Sequence, residues 1–487
     1  MTSLLKKNIA FAVLAIFVHT AGYGHDCQFA RVAQLPVTWS ENGLQPIVNG
    51  SINGTKVALL FDTGASTTAL TRHIVRDLGL PMESAAGYFY GVGGVSDAYA
   101  ASLKEISIGP VSTSDIKLHV IGDMTGGEDY AALIGADFAL QMDLEVWLAA
   151  KQINFFRTKN CDNVFLGYWD KDAMEVPMIS STRAPSPIIK IELNGVEINA
   201  IVDTGAMTTA VTRKAAEKAG VIPDEHRVTK DGVVGIGRER VKSWRAKFNV
   251  RIGDETIQNA PLTIMDKEFS IFDEASMLIG QDWLRAHRVL FARSQRRMVF
   301  TYLGGDIFPT TTGAPWFAKD AENGMASAQY AMALYDADNQ DFAAAENWMK
   351  KAAVQGNINA NFALGRGYLI EGKFDEAERH LEAGLKRQPS NAYMALWLYL
   401  AQFSSRGENV AASTLAANKT IDPEYWPYSL VQFYLGRGSA DAVRKEAEKY
   451  GGDICKADYL MRLWNALHGD DAGKKARGES SDDCHPD

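Results

Sequence analysis

The sequence predicts a multidomain chain in which two all-β lobes built by duplication are followed by an all-α helical-repeat domain. Three observations carry this. The stretch Leu59-Leu60-Phe61-Asp62-Thr63-Gly64-Ala65 returns as Ala200-Ile201-Val202-Asp203-Thr204-Gly205-Ala206, a register of 203 − 62 = 141 residues. The same register joins Pro36 to Pro177, Pro46 to Pro187, Asn53-Gly54 to Asn194-Gly195 and Gly79 to Gly220, and a repeat of this length is architectural. Around both copies apolar residues alternate at period two between turn dipeptides, the pattern of strands. After about Thr310 the period becomes helical.

The 487 residues suggest about three domains by length alone. A net charge of −9 with no block of Lys and Arg gives no electrostatic case for nucleic acid, and 46% hydrophobic residues suits packed domains. Residues 1–24 read as a secretory signal: Lys6 and Lys7 precede an apolar run from Ile9 to Val18, with small residues at Ala21, Gly22 and Gly24. An uncleaved anchor is the alternative. The first lobe is expected over 31–160, a linker over 161–173, the second lobe over 174–305 and the helical domain over 315–484. Export places the chain in the periplasm or outside the cell.

An oxidising compartment makes disulfides of the four cysteines expected, and four cysteines allow three full pairings. Cys27 and Cys161 bracket the first lobe, and Cys455 and Cys484 the last helical stretch, so Cys27–Cys161 and Cys455–Cys484 are favoured. No two cysteines have Cys-x-x-Cys spacing, and no metal site is expected.

Within the first copy, Val48 to Phe61 alternates around Asn49-Gly50 and Asn53-Gly54, dipeptides that favour hairpin turns. Thr71 to Leu78 reads as a short helix stopped by Gly79 and Pro81. Tyr88 to Val95 reads as a glycine-rich hairpin, in which Tyr88 and Tyr90 either meet a ligand or pack the hairpin. The second copy repeats this order, with a helix near Arg213 to Ala219 and a glycine-rich segment from Gly232 to Gly237, followed by the charged Arg238, Glu239 and Arg240.

An aspartate after three apolar strand residues resists burial unless something satisfies it. Thr and Gly after it suit a tight turn whose main chain can approach closely. Two such turns on duplicated lobes allow Asp62 and Asp203 to meet. Two carboxylates sharing one site hold a single proton between them, and such a pair can act as acid and base together.

These residues resemble those of retropepsin-like aspartic proteases, in the form of a bacterial exported chain with two tandem protease domains. Asp62 to Ala65 and Asp203 to Ala206 match the family's Asp-Thr-Gly-Ala turn. Leu133-Ile134-Gly135-Ala136-Asp137 and Leu278-Ile279-Gly280-Gln281-Asp282 match its second signature. Asp137 and Asp282 are expected to cap or pair locally. The resemblance implies that Asp62 and Asp203 are catalytic and that Thr63, Gly64, Thr204 and Gly205 support them, the threonines by bonding across to the partner lobe. It further implies flaps over the substrate, formed by Tyr90, Gly91, Val92, Gly93 and Gly94 in one copy and by Gly232, Val233, Val234 and Gly235 in the other. The departure is Met207, where the first copy has Ser66.

In the helical part, Ala363-Leu364-Gly365, Tyr368, Phe374, Ala377, Leu381 and Pro389 fall on the tetratricopeptide spacing, echoed by Tyr335 and Ala345. Its aromatic residues are expected mostly in the core. The expected function is an exported aspartic endopeptidase that needs no cofactor and works as a monomer on peptide or protein substrates. The helical repeats would recruit substrate or a regulator. The alternative is an inactive peptide-binding module or an envelope scaffold.

Overall fold

The computed structural model describes residues 16–17, 27–122, 129–179, 185–229, 232–237, 239–268, 275–309, 315–424, 426–450 and 454–469. Apart from residues 16–17, the expected signal segment lies outside the described residues, as do Arg238 and Cys484. The chain divides into two compact units, Met1–Ser40 with Leu44–Trp316, and Glu41–Gly43 with Phe317–Asp487. No helix among the described residues is long and apolar enough to cross a membrane.

The first unit is built of β-strands in two copies. In the first, the strand Thr55–Phe61 runs parallel to Ala132–Ile134, pairing Leu60 with Leu133, and Ala69–Thr71 returns antiparallel on the other side of that short strand. The second copy repeats the pattern: Val196–Val202 is parallel to Met277–Ile279, pairing Ile201 with Leu278, and Ala210–Thr212 is antiparallel to Met277–Ile279. Residues such as Leu59, Phe61, Ala200 and Val202 are fully buried. That explains why these strands read as unbroken apolar runs rather than alternating ones.

One of the two expected Asn-Gly turns is a strand instead. Asn53 and Gly54 both adopt positive φ (50° and 83°) and turn the chain between Pro46–Ile52 and Thr55–Phe61. Asn49 and Gly50 lie inside the strand, opposite Ala58 and Val57. A side chain at Gly50 would place its Cβ 2.3 Å from Leu59 Cδ1 and 2.3 Å from Ser107 O. This glycine serves the close approach of a neighbouring strand, the other use of a residue without a Cβ.

The two copies also share an antiparallel sheet, at whose edge Ile16–Phe17 pairs with Gln28–Trp39. From there its order is Gln28–Trp39, Gln152–Lys159, Asp143–Trp147, His287–Ala292, Arg297–Tyr302, Met174–Ile179. Val146 opposite Val289 marks its centre. Cys27 and Cys161 are disulfide-bonded, as expected, and Cys161 packs with Phe29, Phe156 and Leu166. The segment expected as a linker is therefore folded in: Tyr168 accepts from Arg288 and donates to Glu145, and Trp169 Nε1 donates to Thr301.

The second unit is helical. Its helices include Ala326–Asp338, Phe342–Val354, Ile358–Ile370, Phe374–Arg387, Ala392–Arg406 and Glu408–Ala417. Asp341, Asn357 and Asn391 accept from the N–H three residues on and so start the helices that follow them. Trp397, Tyr399 and Tyr434 are fully buried, whereas Phe342 is exposed.

Candidate active site

Each apolar strand delivers its aspartate to the same kind of place. Asp62 N–H donates to Ile134 O at 3.0 Å and Asp203 N–H to Ile279 O at 2.9 Å, the last ladder bonds before the chain turns. The turn then folds back on the carboxylate. Ala65 N–H donates to Asp62 Oδ1 at 2.9 Å, while Gly205 and Ala206 N–H donate to Asp203 Oδ1 at 2.8 and 3.1 Å. Met207 in place of Ser66 leaves these main-chain donors to Asp203 in position.

The two turns meet face to face. A Cβ on Gly64 would lie 2.2 Å from Asp203 Cγ, and one on Gly205 would lie 2.4 Å from Asp62 Cγ. The carboxyl groups of Asp62 and Asp203 thus stand beside each other, each within the field of the other. Burial raises Asp62 above the usual carboxylate range, against the N–H donors of its own turn. Asp203 is raised further, first by burial and then by the negative charge of Asp62 beside it. This is the condition for one shared proton.

The threonines cross between the copies. Thr63 N–H donates to Thr204 Oγ1 at 3.0 Å and Thr204 N–H to Thr63 Oγ1 at 3.0 Å. The hydroxyls pass the bond on, Thr63 Oγ1 to Val202 O at 2.7 Å and Thr204 Oγ1 to Phe61 O at 2.6 Å. Both side chains are fully buried, so the four bonds are made out of water, where a lost partner costs most.

Behind each turn stands a second latch that the motifs alone did not identify. Thr68 donates from N–H and Oγ1 to Asp137 Oδ1, at 2.9 and 2.7 Å, and accepts from Gly135 N–H. Thr209 does the same with Asp282, at 2.7 and 2.5 Å, and Gly280. Asp137 and Asp282 thus tie the Leu-Ile-Gly segment to the turn instead of facing the dyad. Burial pushes Asp282 up to about 6 and raises Asp137 as well. The available signal was a further threonine six residues after each aspartate, in both copies.

The two flaps differ. Met82–Gly91 and Gly94–Ile108 form a continuous hairpin closed by Gly91 opposite Gly94, with Tyr88 and Tyr90 exposed on it. From Gly232 to Gly237 the described residues make isolated bridges rather than strands, among them Val233 to Val241 and Gly237 to Gly93. Val234 and Gly235 are half-buried. Glu239 N–H donates to Gly93 O at 2.8 Å, and the Glu239 carboxylate meets Lys267 Nζ at 2.5 Å. The tips exchange sides: Val92 packs against Ile188, Ile201 and Leu278 of the second copy, and Ile236 against Ile47, Leu60 and Leu133 of the first.

Among the described residues no group of three or more His, Cys, Asp or Glu side chains is arranged to hold a metal ion.

Comparison with known proteins agrees with the duplicated pattern. Residues 48–138 match the model of an aspartyl protease family, and residues 189–286 match that of a gag-polyprotein putative aspartyl protease. The sequence matches none of the curated proteins. Among solved structures the chain is similar to an aspartic proteinase from Irpex lacteus, at 13% identity and a TM-score of 0.35, over 57% of this chain and 98% of that one. Each family match spans one of the two Asp-Thr-Gly turns, and these two aspartyl protease domains support an aspartic-type peptidase.

Proposed function

We propose that the chain is an endopeptidase whose two lobes form an intrachain pseudo-dimer, with one water activated between Asp62 and Asp203. The observation that carries this reading is the meeting of the two carboxyls on turns braced by crossed threonines. Asp203, the more buried and more strongly raised, holds the shared proton, and Asp62 is the carboxylate. Asp62 takes a proton from the water as its oxygen attacks the scissile carbonyl carbon, and Asp203 gives its proton to the carbonyl oxygen. The resulting gem-diol collapses with cleavage of the C–N bond. Asp62 returns its proton to the leaving nitrogen, and a diol hydroxyl returns one to Asp203. Both groups end as they began, so the step uses general acid and base catalysis alone.

The test is cleavage of a mixed peptide library by the purified chain across about pH 3 to 8, the range over which such dyads work. Asp62→Asn and Asp203→Asn should each lower kcat by about a thousandfold or more, since each removes a proton-transfer group from a coupled pair. Cleavage retained by either variant sinks the dyad, whereas no cleavage by the unaltered chain at any pH favours a binding protein.

The chain is further proposed to act outside the cytoplasm, as a monomer, with its helical unit a tetratricopeptide-type repeat. In support, helix starts recur at Ala326, Ile358 and Ala392, steps of 358 − 326 = 32 and 392 − 358 = 34 residues. The partner helices starting at Phe342, Phe374 and Glu408 recur by the same 32 and 34. Such stacked pairs present a surface for protein partners. Truncation after Thr310 should leave peptide cleavage intact and abolish cleavage of a protein substrate; equal cleavage of both would remove the recruiting role.

A further inference from the structure

Two residues outside every motif touch the dyad turns from the opposite copy. Gln45 Nε2 donates to Gly205 O at 2.8 Å, and Ser186 Oγ donates to Gly64 O at 3.1 Å. They occupy equivalent positions, 186 − 45 = 141, each immediately before a proline, Pro46 opening Pro46–Ile52 and Pro187 directly preceding Ile188–Leu193. The acceptors are equivalent too. The carbonyl of Gly205 belongs to the same peptide unit as the Ala206 N–H that donates to Asp203 Oδ1. The carbonyl of Gly64 shares its unit with the Ala65 N–H that donates to Asp62 Oδ1.

A peptide unit whose carbonyl accepts a hydrogen bond is more polarised, and its N–H becomes the stronger donor. Its plane is also fixed, which keeps that N–H aimed at the carboxylate. We infer that Gln45 and Ser186 are positioning residues that act through the Gly205–Ala206 and Gly64–Ala65 peptides to stabilise the ionised dyad, each copy of the chain serving the aspartate of the other. This rests on the dyad reading above.

The groups facing the pair determine how its titration is read. Asp62 and Asp203 face each other, and the buried Tyr130 phenol lies within the field of Asp62. Asp137 and Asp282 are tied to Thr68 and Thr209 behind the turns. On the flap side Glu239 is paired with Lys267, beside Gly94. None of these contacts is altered by changing Gln45 or Ser186, so a shift in the dyad's titration reports the peptide relay.

Gln45→Met keeps the length of the side chain without its donor, Ser186→Ala removes the hydroxyl and Ser186→Thr retains it. The pH profile of kcat/KM reads the free enzyme's dyad. In Ser186→Ala its acid limb, set by Asp62, should move up by about half a pH unit, and in Gln45→Met its alkaline limb, set by Asp203, should move up likewise, as expected when one donor to a carboxylate weakens. Ser186→Thr should restore the profile. Carbon-13 titration of the aspartate carboxyls in the same proteins reads the two steps without turnover. The lower step should rise by that amount in Ser186→Ala and the upper step in Gln45→Met. Superimposable titrations in the variants overturn the inference, even where kcat has fallen, because a merely structural role would slow the enzyme without moving them. Should Gln45→Met fail to fold, the Ser186 pair carries the same test. A wild-type chain that cleaves nothing would count against the dyad as a protease, while the carbon-13 titration would still decide whether Gln45 and Ser186 stabilise its ionised form.

Discussion

At Gly64 and Gly205 there is no room for a side chain, because the opposite aspartate fills the space where a Cβ would sit. Gly64→Ala or Gly205→Ala must therefore push the carboxyls apart or shift the turn. Overpacking of this kind costs about 1–3 kcal/mol, but the larger expected effect is on chemistry, since separating the pair abolishes proton sharing. Peptide cleavage should fall to the level of Asp62→Asn while the chain still melts cooperatively. Normal cleavage by Gly64→Ala would mean that the turns do not face each other in the working enzyme.

The buried carboxyls of Asp203 and Asp282, with the half-buried one of Asp137, give the residue scale a pH dependence as well. Burial raises all three above the value they have in an unfolded chain, Asp282 to about 6. A carboxyl whose folded value is raised binds its proton more tightly in the native state. Its contribution to stability is fully present below about pH 4, the unfolded value, and is lost as pH rises through the folded one. Thermal unfolding should accordingly occur at a higher temperature near pH 4 than near pH 7, and Asp282→Asn should flatten the dependence between about pH 4 and 6. An unfolding temperature that rises steadily with pH through this window would contradict it.

At the scale of elements, the crossed flap tips make the most exposed prediction. Val92 and Ile236 each bury an aliphatic side chain against the other copy, while the hydrogen bond of Glu239 N–H to Gly93 O joins the tips. Val92→Ala and Ile236→Ala remove methyl groups worth about 1–2 kcal/mol of apolar burial. Exchange of the Glu239 amide should quicken by about tenfold for each 1.4 kcal/mol lost. Exchange unchanged in both variants would show that the tips are held by the main chain alone. The flaps also show how far pattern reading reaches. The first hairpin was legible because its tyrosines and glycines alternate about a Gly-Gly corner. The second keeps glycines without the flanking alternation, and its described residues form bridges instead of a ladder. Asn49-Gly50 failed as a turn for a related reason: a dipeptide does not reveal that another strand, far along the chain, needs the space a side chain would take. The Asp-Thr-Gly turns were legible because their chemistry is local. Thr68 with Asp137, and Gln45 with Gly205, were not, because those bonds span 69 and 160 residues.

For the whole β-rich unit, the shared sheet gathers its polar contacts at one buried charge pair. Glu145 of the first copy is fully buried, accepts from Arg288 of the second at 2.9 Å, and also accepts from Asn154 Nδ2 and the Tyr168 hydroxyl. The Arg288 guanidinium lies 3.9 Å from the centre of the Trp147 ring and 4.6 Å from that of Trp169. Both Glu145 oxygens are taken, Oε1 by Arg288 and Tyr168 and Oε2 by Asn154, so removing one member strands the others. Arg288→Ala leaves Glu145 without its counter-charge and should cost about 3–5 kcal/mol. Replacing both partners, as in Glu145→Gln with Arg288→Met, leaves no unpaired charge and should recover much of that loss. Because the cluster lies on the sheet that both copies build, Arg288→Ala should lower activity and unfolding temperature together. The dyad variants should lower activity alone. A thermal scan of the four proteins beside the peptide assay distinguishes these outcomes. Full activity with a low melting temperature in Arg288→Ala would mean that the crossed threonines suffice to hold the two aspartates together.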